Sequence, residues 1–261
     1  MRILCVYRDN RYSPNSAEKD RAILDAVGKR LSARGHSVSF VHEKELNVVN
    51  ADLCLSMARS PEALRILSES GVRCVNSAEG IELCCHRKVL DDMMRAEGVL
   101  MPPLESTDGY WLKRGDGPAE EKDDVVFCGN EQELAAARQR MAERGISEQV
   151  VSAHVAGDLI KFYGVYGTGF FRYFYPADDG ISKFGAEGHN GKAHHYAFDV
   201  RQLVGEAEKL AALTHVDVYG GDCVVREDGS LAVIDFNDWP SFSRCREEAA
   251  DAVAGKIISK K

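Results

Sequence analysis

Apolar side chains run almost unbroken through residues 2 to 7 (Arg-Ile-Leu-Cys-Val-Tyr), the pattern of a buried strand. From Asp20 to Arg34 they recur at helical spacing, as Ile23, Leu24, Val27 and Leu31, until Gly35 ends the run. Ser37 to His42 alternates polar and apolar residues, giving a second strand. Strand, helix, strand predicts a right-handed βαβ unit. The same signals return as a strand over Asp52 to Met57, a helix over Pro61 to Ser70 and a short strand over Val72 to Asn76. Residues 1 to about 76 therefore read as an α/β half-domain with a parallel sheet.

The period then changes. A single helix is expected from Ser77 to Gly98, and Pro102-Pro103 leads into the next unit. Strands follow at Tyr110 to Lys113 and Val125 to Cys128, separated by the polar loop Asp116 to Asp124, with a helix over Glu131 to Arg144. Gln149 to Ala153, Asp158 to Tyr166 and Gly169 to Tyr175 add strands of an α+β segment with antiparallel hairpins. A helix over Val200 to Thr214 precedes two strands, Gly221 to Arg226 and Leu231 to Phe236, around a turn with an Asp228-Gly229 hairpin signal. A polar helix, Ser243 to Gly255, closes the pattern. The organisation expected is an N-terminal α/β domain (1–76), a central lobe (77–150) and a C-terminal lobe (151–261).

Composition narrows the function classes. With 261 residues, 44% of them hydrophobic, the chain can bury a substantial core. No basic leader or run of about 20 apolar residues is present, so a cytoplasmic protein without a membrane partner is expected. The formal net charge of −8, spread along the chain, argues against a nucleic-acid partner. Cysteines 5, 54, 74, 84, 85, 128, 223 and 245 lie on apolar runs without paired CxxC spacing and read as reduced, buried thiols rather than zinc ligands. The Cys84-Cys85-His86 run lacks a second ligand pair.

The most informative stretch is the last hairpin, with Asp222 on one strand and Asp235 and Asn237 on the other. Residues 235 and 237 project from the same strand face. Two carboxylates and an amide oxygen are hard ligands suited to Mg²⁺ that also holds nucleotide phosphates. A strand end closed by capping Asp and Asn is the structural alternative.

This hairpin resembles that of the ATP-grasp superfamily, which includes D-Ala-D-Ala-ligase-like and RimK-like carboxylate–amine ligases. It places an acid about a dozen residues before an acid-x-Asn motif, here Gly221-Asp222-Cys223-Val224 and Ile234-Asp235-Phe236-Asn237-Asp238-Trp239-Pro240. The resemblance implies an ATP-grasp fold with an N-terminal pre-ATP-grasp half-domain. It also implies ATP and Mg²⁺ or Mn²⁺ as cofactors, with Asp222, Asp235 and Asn237 on the metal. Lys88, ahead of Gly98 and Pro102-Pro103, resembles the family's helix-borne lysine. Lys113, before Gly115-Asp116-Gly117, resembles its second lysine at a small-residue lid that includes Gly117. Val150 to Asp158 resembles the adenine hinge, implying backbone contacts from Val151 and Ala153 and a ribose contact from Asp158. Ala153 stands where a glutamate is usual.

Lys161, Arg172 and Lys192, with His189, His194 and His195, are candidates for substrate or transition-state contacts. The Gly185 to His195 loop has the length and polarity of a cover, and a zinc site on its histidines is the rival reading. The acceptor is expected at the Arg8 to Ser16 loop with Ser56, Arg59 and Ser60. The resemblance implies small-molecule substrates and leaves a homodimer open.

A carboxylate acceptor would make the protein a ligase acting through an acyl phosphate that an amine captures. A hydroxyl acceptor would make it a kinase. Asp235, where most such ligases carry glutamate, and the following aromatic, Pro240 and Ser241 resemble inositol phosphate kinases, as does Asp158 to Val165 with Lys161. A scarcity of clustered basic residues opposes a polyphosphorylated substrate. The ligase reading stands first, the kinase second. A nucleotide-binding module without turnover is the third class.

Overall fold

The computed structural model describes residues 1–13, 16–119, 121–179 and 190–259, and among these described residues the strands form three separate sheets. The first sheet contains β1 (Arg2–Tyr7), β2 (Ser37–His42), β3 (Leu53–Ser56) and β4 (Cys74–Val75), in the parallel order β2-β1-β3-β4. Helices α1 (Ala17–Ala33) and α2 (Pro61–Glu69) provide crossovers. Every residue of β3 is buried, as expected for a parallel strand covered on both faces. The chain leaves β1 on one side for β2 and returns on the other for β3. The carboxyl ends of β1 and β3 thus flank the point where strand order reverses, the usual ligand crevice of open parallel sheets.

The single helix expected from Ser77 to Gly98 is instead two, α3 (Ala78–Cys85) and α4 (Arg87–Ala96), broken at His86 with φ −95° and ψ 80°. The cause is tertiary. The Lys88 backbone N–H donates to the Gly115 carbonyl (3.0 Å), and Arg87 Nη1 donates to the Arg114 carbonyl (2.9 Å). The break turns the amino end of α4 onto the next sheet.

That second sheet has the antiparallel order β6-β5-β7, from β5 (Tyr110–Arg114), β6 (Val125–Cys128) and β7 (Gln149–Ala153). Helix α5 (Glu131–Glu143) covers one face through Ala137 and Met141, packed with Leu112 and Cys128. The third sheet contains β8 (Asp158–Val165), β9 (Phe170–Phe174), β10 (Val218–Val225) and β11 (Leu231–Asp238), in the antiparallel order β11-β10-β8-β9. A short helix, α6 (Pro176–Asp179), follows β9. Leu203, Ala207 and Leu210 of α7 (Val200–Thr214) cluster with Ile160, Phe162 and Phe236.

Helix α8 (Arg246–Ser259) packs on α1, sharing a core of Ile23, Leu24, Val27 and Leu31 with Val253, Ala254 and Ile257. Arg30 bonds both Glu247 and Asp251 across that contact. The Asn76 side chain accepts from the Val218 N–H (2.7 Å) and donates to its carbonyl (2.8 Å), joining the first sheet to the third. All eight cysteines are free. Among the described residues no helix is long and apolar enough to cross a membrane.

Two glycines separate packing from propensity. A Cβ on Gly80 of α3 would lie 2.4 Å from the Thr214 carbonyl oxygen, whereas one on Gly205 of α7 would meet nothing within 4 Å. Gly80→Ala is expected to destabilise the fold by about 1–3 kcal/mol, and Gly205→Ala to stabilise it by about 0.5–1 kcal/mol. Urea unfolding midpoints check both signs, and a stabilised Gly80→Ala would contradict the close α3–α7 approach.

Candidate active site

The pairing of β10 with β11 assembles the site. Asp222 lies opposite Asp235, and Gly220 opposite Asn237, while on the other side Asp222 lies opposite Lys161 of β8. Cross-strand partners share a face, so Lys161, Asp222, Asp235 and Asn237 all project from one side of the sheet. The register slips between Asp222 and Cys223, because Cys223 pairs with Val233 and Ile234 is the extra residue of a bulge. The Ile234 carbonyl accepts a hydrogen bond from Lys113 Nζ (2.8 Å), which carries the lysine of the second sheet onto the hairpin. Glycine is required beside Asp222. A Cβ on Gly221 would sit 2.3 Å from the Asp235 carbonyl oxygen and 2.4 Å from Phe162 Cζ.

Charge is concentrated here at low exposure. Lys161 Nζ bonds both Asp222 oxygens (3.0 and 3.1 Å). Burial pushes the Asp222 carboxyl up; Lys161 opposes this and Asp235 adds to it. Burial would also raise Asp235, but Arg87 and Lys113, then the Asn237 hydrogen bond and Lys161, hold it below its ordinary value. Burial lowers the Lys113 pKa against the pull of Asp235.

The donor set fits a divalent cation at two of the three expected positions. Asn237 Nδ2 donates to Asp235 Oδ2 (2.8 Å), which aims the amide and leaves hard oxygen acceptors on both side chains. Asp222, spanned by Lys161, faces an ammonium and would join a cation only by releasing it. Among the described residues no three His, Cys, Asp or Glu side chains converge as a metal cluster, whether at Cys84-Cys85-His86 or at His194-His195.

The second sheet adds an aromatic surface beside Lys113. Trp111, two residues earlier on β5, shares the Lys113 face and lies opposite Phe127, with ring centroids 5.3 Å apart. Trp111 Nε1 donates to His154 Nδ1 (3.1 Å), and the His154 ring meets Phe127 edge-on at 5.4 Å. Val151 packs toward the α5 cluster instead. The Ala153 N–H donates to the Pro103 carbonyl and the His154 N–H to the Gly109 carbonyl, both at 2.8 Å. Gly117 follows Asp116, which is tied to Arg114 Nε (2.7 Å) and to the Ser147 N–H (2.9 Å).

The other expected residues have different surroundings. Lys88 is turned outward and paired with Asp92 one helical turn on, whereas the charge of its neighbour Arg87 acts on Asp235 and Lys113. Asp158, expected at a ribose, is buried and accepts the N–H groups of His194 (2.6 Å) and Tyr196 (2.8 Å). It staples the following segment to the start of β8. Arg172 shares the Lys161 face but bonds Glu248 of α8. Lys192 lines a small cleft with Asp158, Pro176 and Asn190. His195 reaches Asp178 (3.3 Å), and His189 lies outside the described residues.

The crevice at the ends of β1 and β3 brings Arg8 and Arg59 together, and both bond the buried carboxylate of Asp238. Ser56 is fully buried and Ser60 caps α2. Pro14 and Asn15, within the expected acceptor loop, lie outside the described residues. Sequence reasoning missed Arg87, Asp238 and the Ile234 bulge. Adjacency to Lys88 and Asn237 was the available signal for the first two, and none existed for the bulge.

No family model matches the chain, and no curated protein matches it. Solved structures do, over nearly the whole length. D-alanyl-alanine synthetase A from Vibrio cholerae is 10% identical with a TM-score of 0.69, covering 99% of this chain and 98% of that one. A RimK domain protein ATP-grasp from Sphaerobacter thermophilus is 15% identical with a TM-score of 0.67, covering 98% of each. The VanG D-Ala:D-Ser ligase from Enterococcus faecalis is 12% identical with a TM-score of 0.69, covering 97% of this chain and 98% of that one. The chain has the ATP-grasp fold of these proteins.

Lys113 has a pH signature. Its folded pKa lies below the unfolded value of about 10.4, so the cost of keeping it charged is full at neutral pH and disappears as pH rises through the lysine range. Compared with Lys113→Met, the wild-type chain should gain stability as pH rises through the alkaline range toward about 10.4. Paired urea midpoints across that range measure the gain, and a pH-independent difference would contradict the burial cost.

Proposed function

We propose that the chain binds Mg-ATP between the second and third sheets. In this reading it transfers the γ-phosphoryl group to a small-molecule carboxylate, and an amine captures the resulting acyl phosphate. The observation that carries this reading is that Lys161, Asp235 and Asn237 share one face of the third sheet, where Lys113 bonds the Ile234 carbonyl and the charge of Arg87 acts on Asp235. Three cations beside two oxygen donors suit a polyphosphate and its counter-ion. The likeness to solved ligases supports the same reading.

Each residue then has a task. Trp111, Phe127 and His154 offer an apolar and π surface for the base. Arg87 and Lys113 hold phosphate oxygens in line with the acceptor, which removes much of the entropic barrier. Asp235 and Asn237 would hold Mg²⁺ or Mn²⁺, which supplies charge neutralisation on the phosphates. Lys161 is restrained by Asp222 until an anion competes for it, and is then placed to stabilise charge on the transferring group. The acceptor enters at the crevice after β1 and β3.

A hydroxyl acceptor, making the protein a kinase, is the second reading. It is favoured by Asp235 in place of the usual glutamate and by the Trp239-Pro240-Ser241 sequence that follows. Incubation with Mg-ATP, pools of carboxylic acids and polyols, and hydroxylamine separates the two. Hydroxamate with free phosphate marks the ligase; phosphate retained on an alcohol marks the kinase.

Asp235→Ala and Asn237→Ala are expected to abolish turnover while melting within a few degrees of wild type. Full activity in either would remove the metal assignment. Arg87→Ala should lower kcat/KM for ATP by about 100-fold or more, while Lys88→Ala, on an exposed i,i+4 pair, should change it by no more than about twofold. A larger loss in Lys88→Ala than in Arg87→Ala would reverse the assignment.

A further inference from the structure

Asp238 directly follows Asn237, yet no part of the proposed phosphate site uses it. Its side chain is wholly buried at the end of β11, and both oxygens are taken by arginines of the first sheet. Arg8 Nη2 donates to Oδ2 (2.6 Å) and reaches the Asp238 backbone carbonyl (3.3 Å), while Arg59 Nη2 donates to Oδ1. The arginines are themselves fixed. Arg8 Nε donates to the Met57 carbonyl (3.1 Å), and its Nη1 to Asp20 Oδ2 (3.3 Å), an oxygen that also accepts from Ser13 Oγ (2.6 Å). Glu43 accepts the N–H groups of Asp9, Arg59 and Ser60, binding the loops after β1 and β3 to each other.

One buried network therefore joins the crevice of the first sheet to the last residue of the metal-ligand strand. Beyond Asp238 the backbone is strained, with Trp239 at φ 35° and Phe242 at φ 47°. Such conformations persist only where surrounding contacts hold them. Trp239 is held by its N–H on the Val218 carbonyl (2.9 Å) and its Nε1 on the Val75 carbonyl (3.3 Å).

We infer that Arg8, Arg59 and Asp238 are positioning residues that, by clamping the end of β11 to the acceptor crevice, fix Asp235 and Asn237 in the arrangement a divalent cation requires. The inference rests on the reading of Asp235 and Asn237 as cation donors. It makes metal affinity depend on residues that touch neither metal nor nucleotide, in the way outer-shell partners tune a metal site.

The test uses the full chain with Mn²⁺ and a non-hydrolysable ATP analogue. Free Mn²⁺ is read by electron paramagnetic resonance, metal-free nucleotide binding by calorimetry and folding by circular dichroism. Arg8→Lys, Arg59→Lys and Asp238→Asn should each weaken Mn²⁺ binding about 10-fold or more, with metal-free nucleotide affinity unchanged. Whichever of the three variants folds decides the matter: wild-type Mn²⁺ affinity alongside a lowered melting temperature would overturn the inference, leaving a purely structural latch. Unfolding of all three would overturn it as well. Asp235→Ala is the control for the underlying reading. Wild-type Mn²⁺ affinity in that variant would overturn the donor assignment itself, separately from the behaviour of the clamp.

Discussion

The bulged pairing of β10 with β11 is the constraint from which the candidate site follows. Antiparallel pairing puts Asp222 opposite Asp235, and period-two projection adds Asn237 to the same face. One extra residue, Ile234, breaks the ladder immediately before Asp235 and presents a carbonyl to Lys113. A regular hairpin would leave Asp235 one register step away and Lys113 without that acceptor. Gly221 permits the close approach because any side chain there would collide with the Asp235 backbone and Phe162.

A protein of formal charge −8 can still hold a polyanion because the relevant quantity is local. Arg87, Lys113 and Lys161 come from a helix and two different sheets, and each acts on the Asp235 carboxylate. Bringing three cations so close costs desolvation, visible in the lowered Lys113 pKa. The two carboxylates offset part of that cost. Lys161 is paired with both oxygens of Asp222, so its charge is already partly compensated within the sheet.

Most strands and helices were legible because their cause is local. β1, β2, β6, β7 and α7 occupy the spans that apolar periodicity assigns them, and the Asp228-Gly229 turn forms the last hairpin. What escaped has causes distant in sequence. The helix break at His86 goes with a hydrogen bond to the Gly115 carbonyl, and beyond it the charge of Arg87 rather than Lys88 acts on Asp235. Asp158 reads as a polar residue at a strand start, but its partners lie 36 and 38 residues further on. Arg8 and Arg59 were assigned to the acceptor crevice from their place after β1 and β3. Their shared partner, 230 and 179 residues away, carries no local signal.

The packing of α8 on α1 also governs the order in which the protein can be made. Ile23, Leu24, Val27 and Leu31 complete their core with Val253, Ala254 and Ile257, more than 200 residues later. As the chain leaves the ribosome from its amino end, the first sheet emerges early but one apolar flank stays open until residues 246–259 arrive. Contacts of such long separation form slowly, and unfinished apolar surface invites self-association. The second sheet, with α5 as its own cover, draws its core from residues 110–151 and has no such wait. Synthesis thus leaves the α1 flank of the first sheet as the last part of the molecule to be sealed.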